Sequence, residues 1–194
     1  MTDKKKIETF QYELSLIYSV DIKEFVKFAI GILPDYFFTI PASSSGKYHP
    51  EYALGDGGLV RHTKAAVRIA SALYGCDTAT GKFTRRQKDM MLAALLIHDG
   101  CKCGMPKKKH TQTNHPEVVC EHVENHCEAH RGIELPKSDR EVIYSLVKSH
   151  MGQWNQDPKT GEVVLKKPES PGQRFVHMVD YLASRKLINI NFEE

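Results

Sequence analysis

The chain has 194 residues, enough to bury a core without disulfide or metal staples, so any metal it holds is expected to serve function rather than folding. Its 27 Lys and Arg against 24 Asp and Glu leave a formal net charge of +3, too mild to mark a nucleic-acid binder. No apolar run approaches the roughly 20 residues that span a bilayer, and the start, MTDKKKIETFQYELS, lacks the apolar core of a signal peptide; a soluble cytoplasmic protein is expected.

Five cysteines, an odd number in a chain with no export signal, point to reduced thiols rather than a disulfide framework. Ten histidines is the more unusual count. Neither an internal repeat nor a low-complexity segment is present, and the length suits one domain over 1–194. Within it, 1–58 reads as N-terminal helices and an ordered loop, and 59–185 as a helical core.

Residues 3–20 read as one amphipathic helix with Phe10, Leu14 and Ile17 on one stripe. Asp21 and Glu24 have the spacing of a capping box, and Ile22, Phe25, Val26, Ala29, Ile30 and Leu33 follow at helical spacing until Pro34. The Gly-, Pro- and Ser-rich stretch 35–58 reads as a long ordered loop, and loops of that length in a compact domain are usually functional. Leu59, His62, Ala66, Ile69, Ala70 and Leu73 share the next helical face, which turns His62 inward. After a polar turn over 75–81, Thr84 and Gln87 form a capping box that opens a helix ending at His98 and Asp99.

In that helix Met91, Leu92, Leu95 and Leu96 mark a buried face, and His98 falls seven residues after Met91 on the same side. A basic loop follows, with Lys102, Lys107, Lys108 and Lys109. Asn114 or His115 caps the next helix, which has Pro116 in its first turn and Val118, Val119 and Val123 as its apolar positions. Ser138 and Glu141 have capping-box spacing, and Val142, Ile143, Leu146, Val147 and His150 repeat one stripe. Residues 151–169 read as a loop with room for a small β-hairpin around Lys159-Thr160-Gly161, within 153–166. Ser170-Pro171-Gly172-Gln173 begins the last helix, whose apolar face, Phe175, Val176, Val179, Leu182 and Ala183, is interrupted by Asp180. The expected fold is all-α, a bundle of about six to eight helices.

His62, His98, Asp99, His115, His150 and Asp180 all fall at a helix end or on an inner helix face. A carboxylate on an apolar face calls for a cation or donor beside it. Imidazole with carboxylate suits transition cations such as Fe, Mn, Zn, Ni or Co better than calcium or magnesium.

These residues resemble the motifs of the HD-domain metal-dependent phosphohydrolases, an all-helical superfamily named for its His, His-Asp, Asp pattern. GGLVRHT around His62 looks like the first-histidine motif, HDGCK from His98 to Lys102 like His-Asp-x-x-Lys, and MVDYLASR around Asp180 like the final aspartate. HPEVVCEH at His115 and KSHMGQW at His150 resemble the added histidines of the two-metal phosphodiesterase branches. The approach FFTIPASSSGKYHPEYALGDGGLVRHT also resembles the HD domain of the 3′ to 5′ exoribonuclease branch, without room here for that branch's nucleic-acid-binding barrel. Gly100-Cys101 stands where Ile-Gly is usual.

By position, the resemblance implies one metal on His62, His98, Asp99 and Asp180 and a second on Asp99, His115 and His150, with Asp99 bridging. It implies hydrolysis of a phosphoester in a nucleotide, cyclic nucleotide or short oligonucleotide by metal-activated water, with Lys102 steadying the phosphate. Arg61, Lys107, Lys108 and Lys109 are candidates for drawing in the anion, and His49, Lys47, Tyr48 and Trp154 for touching substrate. No membrane partner and no obligatory protein partner is evident.

Alternative readings stay open. One is a one-metal nucleotidase or triphosphohydrolase in which His115 and His150 contact phosphate; another is a non-catalytic nucleotide-binding module. A third is a structural zinc site drawn from His122, His126, His130, Cys101, Cys103, Cys120 and Cys127, although these cysteines lack the paired spacing of zinc ribbons.

Overall fold

A computed structural model describes residues 1–43, 46–47, 49–130, 132–190 and 192. The regular structure among them is helical: α1 (Asp3–Glu8), α2 (Gln11–Ser15), α3 (Val20–Ile32), α4 (Gly58–Leu73), α5 (Asp77–Thr80), α6 (Arg85–Ile97), α7 (His115–Ala129), α8 (Lys137–Lys148) and α9 (Pro171–Ala183). Short 3₁₀ turns at Asp35–Phe38 and Glu51–Ala53 punctuate the long loop before α4. None of the helices is long and apolar enough to cross a membrane.

The bundle is built around α6. Every residue from Asp89 to Cys101 is buried, because α3, α4, α8 and α9 all pack against this helix. Such a segment has no solvent face and is apolar nearly all round. Ahead of the His98-Asp99 pair its one buried charge is Asp89, satisfied by the backbone N–H of Ser19 at 2.8 Å and its hydroxyl at 2.7 Å, which ties α6 to the start of α3. The buried apolar side chains contributed from Phe10 through Ala183 form one cluster.

Several boundaries differ from the sequence reading. The expected single helix over 3–20 is broken at Thr9-Phe10, where Phe10 has φ −111° and ψ 23°. The bend lets α1 pack on α3 and α2 on both α3 and α4, while Phe10 sits beside Phe37 and Phe38 at ring distances of 6.2 and 6.4 Å. A straight helix could not present both surfaces. The polar turn over 75–81 holds the one-turn α5, so the described helices exceed the six to eight expected.

At the expected start of the last helix Ser170 and Gln173 make a capping box, and the one read at Thr84/Gln87 forms. Those at Asp21/Glu24 and Ser138/Glu141 do not: α3 begins behind Ser19 and α8 behind Pro136. Asp21 instead takes the Arg86 guanidinium, and so does Asp139 in the first turn of α8, so that α3, α6 and α8 share one ion cluster. The hairpin shrinks to a single antiparallel bridge between Gln156 and Val163. There Asp157 Oδ1 accepts from the Lys159 and Thr160 N–H groups, and this local turn takes the place of a ladder.

Candidate metal centre

His98 caps the C-terminal end of α6, and Asp99 follows in a tight turn in which the Gly100 N–H bonds to the Ile97 carbonyl at 2.9 Å. Gly100 is required by space. A Cβ there would come within 2.5 Å of Leu33 Cδ2 and 2.9 Å of Val119 Cγ2, so α3 and α7 close over the turn only because no side chain intervenes. The glycine-cysteine pair that departs from the HD pattern thus has a packing reason, with Cys101 fully buried beneath the turn. His62 comes from the second turn of α4, His115 from the first position of α7, His150 from just beyond α8, and Asp180 from α9.

These six side chains converge. Asp99 Oδ2 faces His98 Nε2 at 3.5 Å and His62 Nε2 at 3.9 Å, whereas Oδ1 faces His115 Nε2 at 2.9 Å and His150 Nε2 at 3.8 Å. Asp180 Oδ1 completes the first set, 2.9 Å from His62 Nε2 and 3.4 Å from His98 Nε2. The ligand atoms of His62, His98 and Asp180 lie within 4.8 Å of one another, as do those of His98, Asp99 and His150. His98 belongs to both triads but has one Nε2 lone pair to give. Lys102 Nζ bonds to Asp99 Oδ2 at 2.6 Å.

The imidazoles are oriented from behind. His98 Nδ1 is 2.7 Å from the Leu95 carbonyl, His115 Nδ1 2.7 Å from that of Gln112, and His150 Nδ1 2.8 Å from that of Val147. A carbonyl only accepts, so each Nδ1 carries a hydrogen, and in the uncharged ring it is Nε2 that presents a lone pair to the cluster. His98 Nε2 and His115 Nε2 are buried with no hydrogen-bond partner, as is His62 Nδ1. Buried nitrogens without partners are costly, and the two Nε2 atoms are aimed where a cation would satisfy them. The donor set therefore fits divalent transition metals.

The electrostatics agree. Burial pushes the Asp99 carboxyl up, but Lys102, His98 and His115 outweigh it and hold the acid well below its usual range. Asp180 behaves likewise, with His62 and His98 overcoming burial. Burial disfavours a charged His98, yet Asp99 and Asp180 together raise its basicity, so these carboxylates call for positive charge where its Nε2 points. Burial depresses His150 to about 3, which keeps it a neutral donor.

The cluster opens into a cleft of about 460 Å³ whose walls include His49, Lys102 and Trp154. His49 packs edge-on to His62 at 5.8 Å, and burial followed by the His62 charge depresses it to about 4. Arg61, Lys107, Lys108 and Lys109 are not among the lining residues. Arg61 donates to the carbonyls of Tyr52, Leu54 and Asp56 and so clamps the loop before α4. Lys107 lies over the Tyr36 ring and Lys108 donates to Gln112, while Lys109 is exposed. Lys47 is exposed and does not line the cleft, and Tyr48 lies outside the described residues.

Sequence reasoning missed Ser43, Thr111, Met151, Ser184 and Arg185, which also line the cleft. It missed His177 too, whose Nδ1 donates to the His150 carbonyl at 2.7 Å and steadies that turn. Ser184 and Arg185 end the MVDYLASR run itself, and His177 precedes Asp180 by one helical turn, so proximity to the aspartate was the available signal. The proposed zinc cluster does not assemble among the described residues. His122 Nε2 bonds to the Ile32 carbonyl, His126 Nδ1 to that of His122, and His130 stacks on Phe28. Cys101, Cys103, Cys120 and Cys127 are buried apolar packing, and neither converging ligand set includes any of them.

Fold and site together define an all-helical protein with a buried histidine-aspartate cluster at the end of its central helix. No family model, characterised protein or solved structure matches the chain, and its function is read from this site.

Proposed function

We propose that the protein is a metal-dependent phosphohydrolase of the HD type, acting on a phosphoester of a nucleotide, cyclic nucleotide or short oligonucleotide. The observation that carries the reading is the division of Asp99: one carboxylate oxygen faces His62 and His98, the other His115 and His150. In this reading His62, His98, Asp99 and Asp180 hold one cation and Asp99, His115 and His150 a second. Bound there, divalent cations would lower the pKa of a water toward ~7 and polarise a phosphoryl oxygen.

The protein's own groups have separate tasks. The Leu95, Gln112 and Val147 carbonyls fix which imidazole nitrogen faces the cluster. Lys102, anchored on Asp99 and 14% exposed, places an ammonium at the cleft, where it offsets negative charge on a phosphate and on the pentacovalent transition state. His49, neutral at physiological pH, lines the cleft as a hydrogen-bonding group that adds no charge.

The test is hydrolysis of bis(p-nitrophenyl) phosphate and of a panel of 5′-nucleotides and cyclic nucleotides, with Mn²⁺ or Fe²⁺ supplied. Asp99→Ala is expected to lower turnover by at least about a thousandfold, the order expected when a charge-stabilising group is removed from a metal-assisted centre. A folded Asp99→Ala protein with undiminished turnover would refute the reading.

A further inference from the structure

The cleft has an aromatic wall beside its charged one. Trp154, the only tryptophan in the chain, is 46% exposed, although large aromatic side chains gain most from burial. It is nonetheless held in place. Its ring stacks on Tyr181 at 5.8 Å with 14° between planes, and His177 meets it nearly edge-on at 6.2 Å. The Arg185 guanidinium in turn lies 4.3 Å from the Tyr181 ring centroid and donates to the Ser184 hydroxyl. Trp154 and Arg185 both line the cleft, with Met151 beside them.

A fixed, solvent-facing aromatic ring next to a phosphate-binding cluster is what a nucleobase can use, since every base has a π face to stack. The cleft volume, about 460 Å³, lies toward the low end of the roughly 300–1,000 Å³ typical of small-molecule sites. That space suits one nucleotide better than a run of them.

We propose that Trp154 is the base platform of a mononucleotide subsite. The base stacks on Trp154, the sugar crosses the cleft, and the phosphate reaches Lys102 and the histidine-aspartate cluster. Tyr181 and Arg185 act as positioning residues that hold the platform. This assignment rests on the phosphohydrolase reading for where the phosphate lies, but it concerns binding and can be tested apart from turnover.

Because Trp154 is the sole tryptophan, its fluorescence reports directly on the platform. The zinc-loaded full chain is titrated with AMP and with ribose 5-phosphate, which has the same phosphate and no base, and both affinities are also measured by calorimetry. AMP is expected to quench the fluorescence and to bind at least about tenfold tighter than ribose 5-phosphate, the order of one base-aromatic stack. Trp154→Leu should erase most of that preference at unchanged metal content and unchanged ribose 5-phosphate affinity, while Trp154→Phe retains it. Equal affinity for the two ligands, or an AMP preference that survives Trp154→Leu, would overturn the proposal. Base-dependent binding without any turnover would remove the hydrolase reading and keep the platform; turnover without base preference would do the reverse.

Discussion

Asp99 is the residue on which the site turns, since its two oxygens look toward different histidines. That division makes the single-histidine variants informative. His115→Ala should reduce bound metal by about one ion per chain and leave the other in place, because His62, His98, Asp180 and the shared Asp99 all remain for the first ion. Elemental analysis of the folded variant checks it; unchanged metal content would assign His115 to substrate instead. Gly152, beside His150, has φ +57°, and a Cβ on it would lie 2.1 Å from the His177 ring. Gly152→Ala should therefore destabilise the protein by about 1–3 kcal/mol or more, read as a lowered urea midpoint.

At this scale the sequence was legible where chemistry is unusual and illegible where it is ordinary. Histidines and acids on apolar helix faces stand out, and all six converge. Arg61 and Lys107 to Lys109 carry charge but no direction, and the folded chain gives Arg61 to nearby carbonyls and Lys107 to an aromatic ring.

Among the elements, the capping signals show the same limit. Thr84/Gln87 and Ser170/Gln173 cap their helices, and the Gln173 amide nitrogen can donate to the Ser145 carbonyl while its oxygen keeps the cap bond. Asp21 satisfies the same local pattern, but Arg86, from a helix distant in sequence, takes its carboxylate. The break at Phe10 was equally hidden, since one stripe of Phe10, Leu14 and Ile17 fits a straight helix as well as a bent pair.

A comparable long-range pair joins α7 to α8, where Arg140 grips both oxygens of Glu124 at 2.9 Å and the Tyr144 hydroxyl adds a third bond at 2.9 Å. Arg140 holds the Glu124 carboxyl below its usual range against the opposing effect of burial. A depressed folded-state pKa means that the stabilisation is present above the unfolded value, about 4.3, and lost as pH falls through the folded one. Glu124→Gln should thus cost about 1–3 kcal/mol at pH 7, and the gap to wild type should close toward pH 3. Urea unfolding at both pH values measures it. A gap independent of pH would contradict the assignment.

On the scale of the whole molecule, one buried helix delivers His98 and Asp99 to the middle of the bundle, and four other segments bring their ligands to it. The all-helical class followed from the 3.6-residue periodicity, which local sequence carries. The cleft did not. Its walls come from segments as far apart as Ser43 and Arg185, and only the folded chain sets them side by side. Because the proposed ligands come from five different helices or helix ends, metal binding should stabilise the fold and chelation should lower Tm.

The central claim is a metal pair bridged by Asp99. Its most direct test is elemental analysis of protein purified under reduced oxygen without added metal or chelator, beside the Asp99→Ala variant. About two transition metals per chain in the wild type, lost from a variant that keeps its helical circular dichroism, is the predicted result. Metal content that is the same in both proteins would contradict it.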